Sequence, residues 1–169
     1  MKGRRSTFDE IQRHLIELGA GNHPDNLKSL CPFAKYYLIS LSEPEFFNLV
    51  FLQNPEVTKI SPSGEDRRLR SVALRALEIG EIKLSDNWDL GRIRQRIQSD
   101  NPGKHGFLLP ALVLRDARGS ETNHGGRWYL QDGSHRALAY ALVILNKEGQ
   151  YQAQSAYCAT DEALQLDGG

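Results

Sequence analysis

The chain has 169 residues, 40% hydrophobic and 25% charged, which suits one packed domain and excludes a disordered chain. Lys plus Arg total 21 and Asp plus Glu total 21, so the net charge is zero and bulk charge gives no argument for a nucleic-acid or membrane partner. Two distant cysteines and five scattered histidines exclude a disulfide scaffold and a zinc framework, and no apolar run reaches the roughly 18 residues of a membrane span.

Cys31 and Cys158 read as reduced, mostly buried thiols of a cytoplasmic protein. The opening MKGRRSTFDE is basic with no apolar stretch behind it, unlike a signal peptide. Thr7 and Glu10 form a T-x-x-E capping box that predicts a helix over 8–19, with Phe8, Ile11, Leu15, Ile16 and Leu18 on its apolar face. Residues 22–27 read as loop and 28–41 as a second helix. Ser42 and Pro44 open a third, EPEFFNLVFLQ. Pro55 and the Ser-Pro-Ser-Gly run at 61–64 mark a break. Glu65 or Asp66 then opens a basic helix ending at Gly80, which carries Arg67, Arg68, Arg70 and Arg75. Those arginines read as a solvated face or a DNA-facing surface.

After Gly80 the pattern changes. Residues 81–85 alternate like a strand, and Asp86–Asn87 cap a helix over 88–98. LLPALVLRD, 108–116, reads as a buried strand, 117–126 as a Gly-rich hairpin loop, and 127–131 as the return strand. A helix follows from Ser134, residues 151–159 form a last strand, and DEALQLDGG reads as a loose tail. The expected fold is α+β: an all-helical extension over 1–80, a small mixed-sheet domain over 81–160, and a tail over 161–169.

The segment WYLQDGSHRALAYALVILN concentrates the chemistry. Gly133 allows a sharp turn from strand into helix and a close approach of backbone to a ligand. Ser134 is the expected cap. The unpaired N–H groups of the first turn make an anion site, with His135 as donor or titratable group and Arg136 as a fork suited to phosphate. The bland alternative is a plain turn, a cap and a solvated His-Arg pair. Arg92 and Arg96, four apart on the 88–98 helix, share one face and read either as phosphate ligands or as a solvated basic face. Trp88 and Trp128 read as core or pocket wall, and His105 and His124 as exposed loop residues.

"IQSDNP", "LLPALVLRDARG" and "RWYLQDGSHRALAYAL", in that order, resemble the ParB/sulfiredoxin superfamily over about residues 81–157. The resemblance implies a nucleotide-phosphate site at Gly133, Ser134, His135 and Arg136, with ATP or ADP as ligand and Mg²⁺ as metal. It further implies Arg92, Arg96 and the more loosely aligned Lys83 on the phosphates, and Asp132 or Asp86 on the ion or a water. The sulfiredoxin-like members carry a cysteine where this chain has Ser134, so sulfinic-acid reduction, which needs a sulfur nucleophile, is excluded. In size and architecture the chain resembles the plasmid oncogenic-suppression group, which blocks conjugative DNA transfer.

Three functions follow as expectations. The first is an ATP phosphohydrolase that also cleaves DNA and inhibits plasmid transfer, with His135, Arg136, Asp132 and Asp86 as catalytic residues. Its partners would be nucleotide, DNA and a component of a DNA-transfer or secretion apparatus. The second is a small-molecule kinase of the free-serine type, with Asp86 or Glu81 as base; an acid opposite His135 in a deep, closed pocket would favour it. The third is a non-enzymatic DNA- or protein-binding module.

Overall fold

A computed structural model describes residues 1–19, 24–62, 66–80, 95, 108–118 and 126–167. In chain order the elements are β1 (Gly3–Ser6), α1 (Phe8–Glu17), α2 (Pro24–Leu30), β2 (Lys35–Leu41), α3 (Glu43–Phe47), β3 (Val50–Phe51), α4 (Pro55–Ile60), α5 (Leu69–Ile79), β4 (Leu112–Asp116), β5 (Trp128–Asp132), α6 (Ser134–Leu145) and β6 (Gln154–Thr160).

Several elements form for the local reasons expected. The Thr7 hydroxyl accepts from the Glu10 N–H at 3.2 Å and caps α1. The Glu10 carboxylate turns instead to the Ser6 hydroxyl and Arg4, so the capping box is half made. Gly80, at φ +93°, ends α5 as expected. Asp66 accepts from the Arg68 N–H and anchors the start of that helix.

The fold is α+β, but its first 80 residues are not all helical. The 28–41 helix is corrected to the end of α2 and the strand β2. Pro32 stops α2, because the residue before a proline is held out of the α region. KYYLISL then alternates, with Tyr37, Ile39 and Leu41 buried on one face and Tyr36 on the other. The third predicted helix is likewise corrected: it ends at Phe47, and Val50–Phe51 are strand. A short helix, α4, fills part of the predicted break. The predicted strand at 81–85 and helix at 88–98 lie outside the described residues, Gln95 excepted.

All strands join one six-stranded sheet, in the order β1-β2-β6-β4-β5-β3. The pairs β3–β5 and β4–β6 are parallel, and the other three pairs are antiparallel. Because β4 and β5 run in opposite directions, the two parallel pairs point their carboxyl ends to opposite ends of the sheet. Helices cover both faces. Phe8, Ile11 and Leu15 of α1 and Leu27 and Leu30 of α2 pack on Tyr36, Val113, Tyr157 and Ala159. Residues of α3 to α6 pack on the opposite-facing Tyr37, Ile39, Leu41, Leu112, Leu114, Ala156 and Cys158.

The tail over 161–167 is not loose. Leu164 and Leu166 pack on the core, the Leu164 N–H donates to the Tyr37 hydroxyl at 3.3 Å, and Asp167 bridges to Lys2. Cys158 is buried as expected, and burial pushes its thiol pKa well up. Cys31 is exposed, contrary to expectation, because it follows the last turn of α2 at the surface.

Candidate functional site: the strand–glycine–helix junction

The β5–α6 junction has no freedom in its glycine. Gly133 sits at φ +90°, ψ 15°, in the left-handed region. A Cβ there would lie 2.6 Å from Leu112 Cδ2 and 3.0 Å from Arg136 Nη2. Gly133 is also the cap residue of α6, so the expected role of Ser134 is corrected: Ser134 is the first helical residue. Positive φ favours glycine at this step, and the chain enters the helix without a side-chain cap. The first intrahelical bond runs from the Ala137 N–H to the Gly133 carbonyl at 2.9 Å. The N–H groups of Ser134, His135 and Arg136 therefore precede the helical ladder, at the positive end of the helix dipole. The body of α6, from Ala137 to Val143, is buried, which fixes the direction in which that end points.

Arg136 folds back on the junction. Its Nη2 donates to Asp132 Oδ2 at 2.9 Å, and its Nη1 donates to the Pro110 carbonyl at 3.3 Å. The pair is largely covered, with 23% of the Arg136 side chain and 18% of the Asp132 side chain exposed. Burial lowers the Arg136 pKa and the Asp132 carboxylate opposes that shift. A second brace comes from α1: His14 Nε2 lies 2.7 Å from the Ala111 carbonyl, and since a carbonyl only accepts, Nε2 carries the proton.

His135 has its pKa lowered, chiefly by burial. Asp132 and Glu56 raise it and Arg136 lowers it further. With its ordinary value near 6.5, His135 is neutral at pH 7. Glu56 was not among the residues singled out from sequence. It lies in the first turn of α4, beside Lys59 at 3.4 Å. The parallel pairing of Phe51 with Leu130 brings it near His135: α4 starts shortly after β3, and α6 shortly after β5. The signal for a helix start was present in Asn54-Pro55-Glu56, and the Asn54 side chain does cap α4 by accepting from the Val57 N–H at 2.8 Å. Nothing local in the sequence places β3 beside β5.

The structure thus brings together Asp132, Gly133, Ser134, His135 and Arg136. Asp86, Glu81, Lys83, Arg92 and Arg96, with Trp88, His105 and His124, lie outside the described residues. Trp128 is a core residue, 6% exposed. Just before α5, Arg68 pairs with Asp66 at 2.6 Å, and on α5 Arg70 lies over the Phe47 ring at 5.6 Å. Among the described residues no group of three or more His, Cys, Asp or Glu could hold a metal ion. Asp132 is the carboxylate of the junction itself, and Arg136 already neutralises it. A Mg²⁺ ion here would be held chiefly by phosphate oxygens and water, a mode this ion commonly adopts. No helix of the described residues is long and apolar enough to cross a membrane. Compared with known proteins, the chain matches no family model, no curated protein and no solved structure.

Proposed function

We propose that this chain is a nucleotide-binding phosphohydrolase, an ATPase with DNase activity, that acts in inhibiting conjugative DNA transfer. The observation that carries the nucleotide reading is the Gly133 junction. The Ser134 and Arg136 N–H groups ahead of the helical ladder, at a glycine with no room for a side chain, suit phosphate oxygens. Arg136 has five donors, and the two that hold Asp132 and Pro110 fix the plane of the rest. Neutral His135 has one ring nitrogen able to accept a proton. In the proposed step a water oxygen bonds to the terminal phosphorus as the bond to the bridging oxygen breaks. His135 takes the water proton, and the charge on the phosphoryl oxygens falls to the backbone N–H groups and Arg136. Mg²⁺, when bound, would neutralise further charge on the phosphates. The plasmid-transfer role, with DNA and a transfer or secretion apparatus as partners, rests on the resemblance of the motif and on chain size.

Glu56 favours a second reading, the small-molecule kinase. A carboxylate near His135 could take the proton of an acceptor hydroxyl in place of water.

The test is phosphate release from ATP with Mg²⁺, with and without plasmid DNA, by wild type, Arg136→Ala and His135→Ala. Both variants are expected to lose about 100-fold in turnover while staying folded. Full activity in both would reject the site. No phosphate release by wild type, with ADP and a phosphorylated amino acid formed instead once a free amino acid is added and neither formed by Glu56→Gln, would establish the kinase.

A further inference from the structure

The second parallel pair, β4–β6, ends at the other end of the sheet from His135. There Asp116, Ala117 and Arg118 leave β4, and Asp161 and Glu162 leave β6. Crevices outside the carboxyl ends of parallel strands are a general place for ligands. A crevice of about 440 Å³ does lie here, between Phe33, Asp116, Arg118, Arg127, Asp161 and Glu162. That volume lies within the range of small-molecule sites. It shares no residue with the 132–136 junction.

Its two arginines are held in fixed planes. Arg118 lies over the Phe33 ring at 3.7 Å and meets Asp161 at 3.5 Å. Arg127 lies over the Trp128 ring at 4.7 Å, with its Nε on Asp116 at 3.1 Å. Asp116 is anchored in turn by the hydroxyl of Thr160, a fully buried side chain. Asp161 is tied by its other oxygen to the Ala34 N–H at 2.9 Å. Glu162 differs. Its carboxylate meets Arg127 Nη2 at 2.9 Å, is 74% exposed, and has no other described contact. An exposed ion pair of this kind is worth little and exchanges readily.

The pairing of opposite charges selects the ligand. Among the described residues, three carboxylates and two guanidinium groups line the crevice. A plain anion on Arg127 would displace a carboxylate and leave it unpaired. A plain cation would compete with arginines for the same carboxylates. A molecule carrying both charges can enter the Arg127–Glu162 pair and leave neither of those two groups unpartnered. We propose that this crevice binds a small zwitterion of the α-amino-acid class, its carboxylate on Arg127 and its ammonium on Glu162 and Asp161.

The experiment follows the ¹⁵N–¹H signals of Arg127 Nε and Trp128 Nε1 while the common L-amino acids are added singly to the full chain. Each is matched by its des-amino acid and its amine. At least one amino acid should shift both signals saturably in the millimolar range or below. Its two singly charged analogues should bind at least about tenfold more weakly, a difference of about 1.4 kcal/mol. Arg127→Lys keeps the charge but loses the fork, and should abolish the response. Glu162→Gln, which touches no other described group, should fold normally and bind several-fold more weakly. Saturation by none of the amino acids would overturn the proposal. Equal binding of the des-amino acid would overturn it too, in favour of a simple anion site, as would unchanged affinity in Glu162→Gln.

Discussion

Gly133 and Arg136 constrain each other. The left-handed turn at Gly133 lets the guanidinium lie against Asp132, and the same guanidinium fills space that a Cβ at 133 would need. Gly133→Ala should therefore cost more than the roughly 1–2 kcal/mol of left-handed strain alone, because Leu112 and Arg136 must also move. Urea unfolding measures this, and a loss below about 0.5 kcal/mol, the usual range for neutral surface changes, would show that the turn tolerates a side chain. His135 gives a pH dependence. Its folded-state pKa lies below the ordinary 6.5, so between the two values the unfolded chain binds more protons. Stability from the neutral imidazole is full above about pH 6.5 and is lost as pH falls through the folded value. Wild type should thus lose stability on acidification below pH ~6.5 faster than His135→Gln. Parallel stability curves for the two proteins would show that burial of His135 does not govern its protonation.

At the scale of elements, α4 and α6 start at the same end of the sheet by different devices. In α4 an asparagine side chain caps the helix, and in α6 a glycine turns directly into it. The α4 cap holds the turn that carries Glu56. Asn54→Ala should cost about 1 kcal/mol, the usual value of such a cap, as a shift in urea midpoint at unchanged slope. It should also perturb the His135 ring signals; no change there would separate α4 from the junction. The elements were unequally legible. The α5 and α6 helices carry long runs of one pattern with a clear glycine at one end, and both form. The stretch at 35–41 is apolar enough to fit either period, and only its place beside β1 and β6 makes it a strand.

For the whole molecule, the consequence is a sheet shared by both halves of the chain. Strands from the first 80 residues form both edges, and β2 flanks β6 along seven residue pairs. A fragment spanning 81–169 would lose β1, β2, β3 and every helix that covers either face before residue 80. It is expected to show no cooperative unfolding transition, whereas the full chain should show one. A fragment with its own sharp transition would mean that the C-terminal half holds a core of its own.

The sequence by itself determined the mixed α+β class, the strand, glycine and helix that make the junction, and the grouping of Asp132, His135 and Arg136 around it. These are local consequences of periodicity, of a glycine at a sharp turn, and of residues a few positions apart. Only the tertiary structure decided that the N-terminal half belongs to the sheet, that the charge of Glu56 acts on His135, that His14 braces the segment beside Pro110, and that the tail lies on the core. Each of these depends on which strands pair across long separations. Pairing is settled by burial on two faces at once, which no single window of the sequence contains.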